Sequence, residues 1–174
     1  MSYQPSLRSG PTAPISLFRI TLEELSSPPV VRGVAYWRSL RGTRRFPSRH
    51  ALSTREMLPF LRYVALIQVL NGGEDYRFRL VGDAHIDARG YDFSGETIAE
   101  MRAEASSCAD RSFALCEYIR TTGVPYALRA PITTGGTGWY VANRECAFLP
   151  LGPNDSLVDY LFVVGAYAFQ ALAD

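Results

Sequence analysis

The sequence predicts an α+β domain in which an antiparallel sheet packs against helices on one face, and three observations carry that prediction. Apolar residues alternate with period two in two separate blocks, residues 63–81 and 126–169, which marks strands with one or both faces buried. The block between them, residues 83–123, breaks the alternation; Gly90 and Gly123 stand where helices stop, and Gly95 relieves the turn before the next one begins. Short turn sequences, Asn71-Gly72-Gly73, Gly135-Gly136-Thr137-Gly138 and Gly152-Pro153-Asn154-Asp155, join neighbouring strands tightly enough for antiparallel pairing. Two strands, a run of helices and three more strands define the class.

At 174 residues the chain fits one domain, of a size that buries roughly 70% of the surface its unfolded chain exposes. A hydrophobic share of 47%, a charged share of 20% and a formal charge of +1 give no general attraction to nucleic acid or to an anionic membrane. All 18 basic residues are arginine, which reads as coding bias rather than as a task. No basic stretch followed by an apolar run opens the chain, and the longest apolar run, residues 160–169, is shorter than a spanning helix. The expected location is therefore the cytoplasm. Cys108, Cys116 and Cys146 lack the number and spacing of a disulfide framework or a zinc site and read as small buried hydrophobes.

Taken in order, residues 1–28 form a flexible N-terminal arm, rich in Ser, Pro and Gly up to Pro14. Within it, residues 15–25 read two ways: Ile15 to Ile20 alternate like a strand, while Thr21 and Glu24 have the spacing of a capping box. Residues 29–62 form a helical extension, with Pro29 in a first turn, Val30, Val34 and Trp37 on one stripe, and Gly42 as the stop. Ser53 caps a further helix. Residues 63–170 make the core, beginning with a hairpin whose second strand presents Tyr76, Phe78 and Leu80 on one face. Asp83 to Arg89 suits a short helix closed by Gly90, and Asp92 and Ser94 supply a polar turn. The long helix opens at Ser107, with Asp110 three residues on, and carries Phe113, Cys116 and Ile119. Pro131 makes the next strand an edge. Residues 160–164 are apolar on both faces, as in a central strand.

The order Trp37, Leu40-Arg41-Gly42, Pro47-Ser48-Arg49, Arg79-Leu80-Val81-Gly82 and Gly90-Tyr91-Asp92-Phe93-Ser94-Gly95, followed by Pro125 and Leu149-Pro150-Leu151, resembles the PAS superfamily. More narrowly it is similar to a bacterial, best known alphaproteobacterial, branch of largely single-domain PAS proteins of mostly uncharacterised function. The segment His50-Ala51-Leu52-Ser53 departs from that branch, which more often has an acidic residue and a Pro there. The resemblance implies a five-stranded antiparallel sheet of order 2-1-5-4-3 and a cavity between the sheet and the long helix. Its expected lining is Phe78, Phe113, Cys116 and Tyr140, with a solid core as the alternative for each. Self-association through the N-terminal helix is also implied, placing Val30, Val34 and Trp37 at an interface, with folding of the stripe onto the chain's own sheet as the alternative.

Arg38, Arg41, Arg44, Arg45 and Arg49 crowd one loop and suggest either an anion or acidic-partner site, with Arg41 and Arg49 as interaction residues, or plain carbonyl binding near a helix end. Arg79 is expected to pair with Asp159 or Asp92. Asp83, His85 and Asp87 cannot converge on one metal ion from a helix, because residues two apart diverge by about 200°. Cys146 lies in a late strand and lacks the neighbours of flavin-linked photosensory cysteines, and the long helix has no His for heme. The reading is thus a non-enzymatic sensory or regulatory protein with no predicted cofactor and no metal. It binds a small apolar or mixed ligand or a partner protein, works as a homodimer or with an unidentified signalling protein, and contacts neither nucleic acid nor membrane. The alternatives are a pure interaction module with a solid core, or a small isomerase or dehydratase using His85 or Asp87 as base.

Overall fold

The computed structural model describes residues 18–130 and 139–171. Its antiparallel sheet has six strands: β1 (Arg19–Ile20), β2 (Val64–Leu70), β3 (Asp75–Val81), β4 (Tyr126–Ala130), β5 (Trp139–Leu151) and β6 (Tyr160–Ala171). The spatial order is β1-β4-β5-β6-β2-β3. The helices are α1 (Pro28–Arg41), α2 (Thr54–Met57), α3 (Asp83–Arg89), α4 (Ile98–Arg102) and α5 (Ser106–Thr122).

The fold corrects the five-stranded expectation. Arg19 pairs with Leu128 and Ile20 with Ala127, so β1 adds a sixth strand outside β4, which is therefore not an edge. Both readings of this segment hold in part, since β1 is followed directly by a 3-10 turn at Leu22–Glu24 closed by the Thr21 and Glu24 capping box. Residues 18–28, expected within the flexible arm, are thereby tied to the sheet. Residues 1–17 of that arm, and Pro131 and the Gly135 to Gly138 turn, lie outside the described residues.

Helices also cover both faces, not one. On one face Ile67, Tyr76, Phe78, Leu128, Leu161 and Val163 pack against α4 and α5. On the other, Leu66, Ala147, Leu149, Phe162 and Val164 pack against Val30, Val34 and Trp37 of α1. The physical reason lies in β6: the four consecutive buried apolar residues Leu161 to Val164 give it two greasy faces, and each must be shielded from water. Gly33 lets α1 come close enough, because a Cβ there would lie 2.5 Å from Val164 Cγ2.

In β3 the alternation is interrupted. Leu66 pairs with Leu80 but Ile67 with Phe78, so Arg79 is the extra residue of a bulge. Consequently Phe78 faces α5 while Leu80 joins the α1 side, correcting the single-face reading of Tyr76, Phe78 and Leu80. The long helix begins at Ser106 without a side-chain cap, and Asp110, expected to take part in capping, pairs with Arg102 at 2.8 Å instead.

Candidate functional site

The expected cavity residues fall where the sheet meets α5. Phe78 and Cys116 are buried, Phe113 is half-buried, and all three join one cluster with Phe93, Ile98, Met101 and Ile119. Phe78 stacks edge-on with Phe93 at 4.9 Å and Tyr76 with Phe113 at 5.3 Å. Burial pushes the Cys116 thiol up to about 12, so it stays protonated and acts as a small apolar group. Tyr140 belongs to β5, and its side chain lies outside the described part. The described members of the set thus fill volume together. Behind them Tyr76 donates its hydroxyl proton to Glu117 at 2.5 Å, and Glu117 is held in turn by Arg120.

His85 is buried against the same face of the sheet. Its Nε2 lies 2.8 Å from the Tyr63 carbonyl, which only accepts, so Nε2 carries the hydrogen and Nδ1 accepts from the Tyr167 hydroxyl at 2.7 Å. Gly165 makes room for this group, since a Cβ there would lie 2.9 Å from both the His85 ring and Cys146 Sγ. Burial lowers the imidazole to about 4. With both nitrogens engaged and no charge at neutral pH, His85 is a structural group. Asp87 is on the surface with Arg62 at 3.3 Å, and Asp83 is exposed, so the three do not gather around a point.

The interaction residues of α1 are corrected by burial. Val30, Val34 and Trp37 are 0%, 4% and 3% exposed, seated on the chain's own sheet, and Trp37 donates its indole N–H to the Pro150 carbonyl at 2.9 Å. A stripe so covered offers no surface to a second copy. Sequence reasoning missed what holds the start of this helix: Glu145, buried in β5, accepts from the Ser26 and Ser27 backbone N–H groups at 2.8 and 2.6 Å and from Arg129 at 2.7 Å. Burial raises the Glu145 carboxyl, but the Ser27, Arg129 and Ser26 hydrogen bonds outweigh it and hold the group below the usual carboxylate range. Nothing local marks this contact, because it joins residues more than a hundred positions apart.

The arginine cluster divides. Arg38 pairs with Glu23 at 2.6 Å, Arg41 donates to the Arg44 carbonyl, Arg44 to Gly152 and Arg45 to Thr122, all as structural ties. Arg49 has no such tie; its guanidinium sits over the Tyr160 ring at 5.5 Å. There it lines a cleft of about 290 Å³ together with Ser48, His50, Arg79, Pro153 and Asp159. The bulge puts Arg79 at this rim, exposed. The expected Arg79 ion pair is not formed: Asp159 shares the cleft without bonding to it, and Asp92 accepts from the Ser94 N–H instead. Asp159 Oδ1 is buried without a hydrogen-bond partner, and burial raises its carboxyl above the ordinary range despite the nearby charge of Arg49.

A comparison with protein families matches residues 25–162 to the family described as PAS domain. Neither the curated proteins nor the solved structures provide a match.

Proposed function

Because the chain belongs to the PAS domain family, we propose that it is a cytoplasmic sensory or regulatory protein whose output is a contact with another polypeptide, a second copy or a signalling partner. The family itself supports a signalling role without catalysis. No helix among the described residues is long and apolar enough to cross a membrane. The observation that carries the reading is the extent of the match, residues 25–162, which takes in α1 as well as β2 to β5. Through its Glu145 anchor α1 is a layer whose seating a binding event can alter, and a change in seating exposes the apolar stripe of Val30, Val34 and Trp37 to a receiver. Amide exchange along α1, measured on purified protein with and without compounds that raise its melting temperature, tests this. Faster or slower exchange at Ser26 to Val34 with a stabilising compound supports the sensor; stabilisers that leave α1 unchanged count against it.

The continuous packing of Phe78, Phe113 and Cys116 favours a second reading, an interaction module with a solid interior. Native mass spectrometry of protein purified without added ligand separates the two, since a sensor retains a bound mass that denaturation releases. The acid–base reading finds no carrier in His85 or Asp87 as they are placed.

A further inference from the structure

We propose that the cleft between Arg49, His50, Arg79 and Asp159 binds a small organic anion that also carries a hydroxyl or amino donor. This goes beyond the signalling reading and does not depend on α1 carrying the output.

Three features lead there. First, Arg49 and Arg79 form no ion pair, although Asp159 shares their cleft, whereas Arg38, Arg41, Arg44 and Arg45 of the neighbouring loop are all tied to protein oxygens. Two guanidinium groups at one rim repel, and a carboxylate or phosphate between them turns that repulsion into paired, charge-assisted hydrogen bonds. Arg49 is further steadied by the face of Tyr160. Second, Asp159 Oδ1 is a buried acceptor with no donor, a state that is unfavourable until a donor arrives. A bare anion cannot supply one and is repelled by the carboxylate. A bare cation meets two arginines. Only a ligand with both an anionic head and a donor answers the whole lining. Third, the volume of about 290 Å³, close to the lower end of the roughly 300–1,000 Å³ usual for ligand pockets, is enough to seat a small metabolite.

The sequence forms this site from distant pieces. Arg49 follows the Pro47-Ser48 turn, Arg79 reaches the rim through the bulge, and Asp159 is fixed where its carbonyl accepts from Val69 N–H at 2.9 Å and its N–H donates to Leu151 at 3.1 Å.

The test titrates the full chain, followed by amide chemical shifts, with two matched pairs of probes: succinate against malate, and propyl phosphate against glycerol 3-phosphate. Malate and glycerol 3-phosphate are expected to move the amides of Ser48 to His50, Arg79 and Asp159 to Tyr160, and to bind at least several-fold more tightly than their unhydroxylated counterparts. Arg79→Gln, at an exposed position, weakens both by about tenfold. Asp159→Ala, which removes the acceptor, removes the preference for the hydroxylated member. If none of the four probes moves these amides at millimolar concentration, or if the shifts survive Arg79→Gln unchanged, the site does not exist as described. Equal binding within each pair overturns the donor requirement. Either failure leaves the α1 exchange experiment to decide the signalling reading separately.

Discussion

His85 occupies a place where a charge has no water to turn to, and its two nitrogens are already committed to Tyr63 and Tyr167. Its folded value of about 4 against an ordinary 6.5 means that, between those two values, the unfolded chain binds a proton that the folded one refuses. The stability from this group is complete above about 6.5 and is lost as the pH falls toward 4, by roughly 3 kcal/mol over the window. Urea unfolding at a series of pH values should show that slope, and His85→Gln should flatten it; an unchanged slope in the variant would assign it elsewhere. Glu145 has the same sign in a lower window. Its folded value is depressed, so its contribution is present above the ordinary carboxylate range and disappears as the pH falls through the depressed value. Glu145→Gln keeps an oxygen acceptor but removes the charge facing Arg129, and a loss of about 1–3 kcal/mol is expected, with faster exchange at the Ser26 and Ser27 amides. Unchanged exchange there would mean that α1 is held by its apolar stripe alone.

At the scale of elements, α1 reverses the effect its stripe suggests. A substitution of Trp37 by Glu in an exposed interface gives a folded monomer; in this structure Trp37 is 3% exposed and bonded to Pro150, so Trp37→Glu buries a charge and is expected to cost more than ~3 kcal/mol. Loss of the cooperative melting transition checks this, and a well-folded variant would show that α1 does not stay on the sheet. Arg79→Ala should leave the melting temperature within a degree or so, because surface changes away from specific ties are nearly neutral. The strand of residues 75–81 was legible from its period, and α3 from Asp83 and Gly90, because both depend on neighbours in sequence. The bulge was not, since its signal is a mismatch with a partner strand, Leu66 against Ile67, that the sequence of β3 alone does not contain. The seat of α1 escaped for a related reason: one apolar stripe looks the same whether it meets a second copy or the far side of its own sheet. Only the two-faced β6 hinted that both sides needed cover. The cleft had one legible part, Arg49 in its arginine-rich loop, and its convergence with Arg79 and Asp159 is a product of topology.

For the whole molecule, the sixth strand decides how the sheet ends. Without β1 the open backbone of β4 faces water, and an unpaired strand of apolar residues is a template for another chain. β1 is only two residues long, but Arg19 reinforces it by placing its guanidinium over the Tyr126 ring at 4.8 Å. Beyond it the Thr21 and Glu24 capping box turns the chain toward Ser26, Ser27 and Glu145, so strand, turn and helix start form one continuous strap across the β4 edge and the outer face. Deleting residues 1–20 removes the strand and keeps the box and the Glu145 anchor. The shortened protein is therefore expected to remain folded, to lose a little stability, on the order of 1 kcal/mol or about 2–4 °C in melting temperature, and to self-associate through β4 in proportion to concentration. Sedimentation velocity across a dilution series reads the association directly. A shortened protein that sediments as the full chain does at every concentration would show that β4 needs no cover, and the strap would then serve only to seat α1.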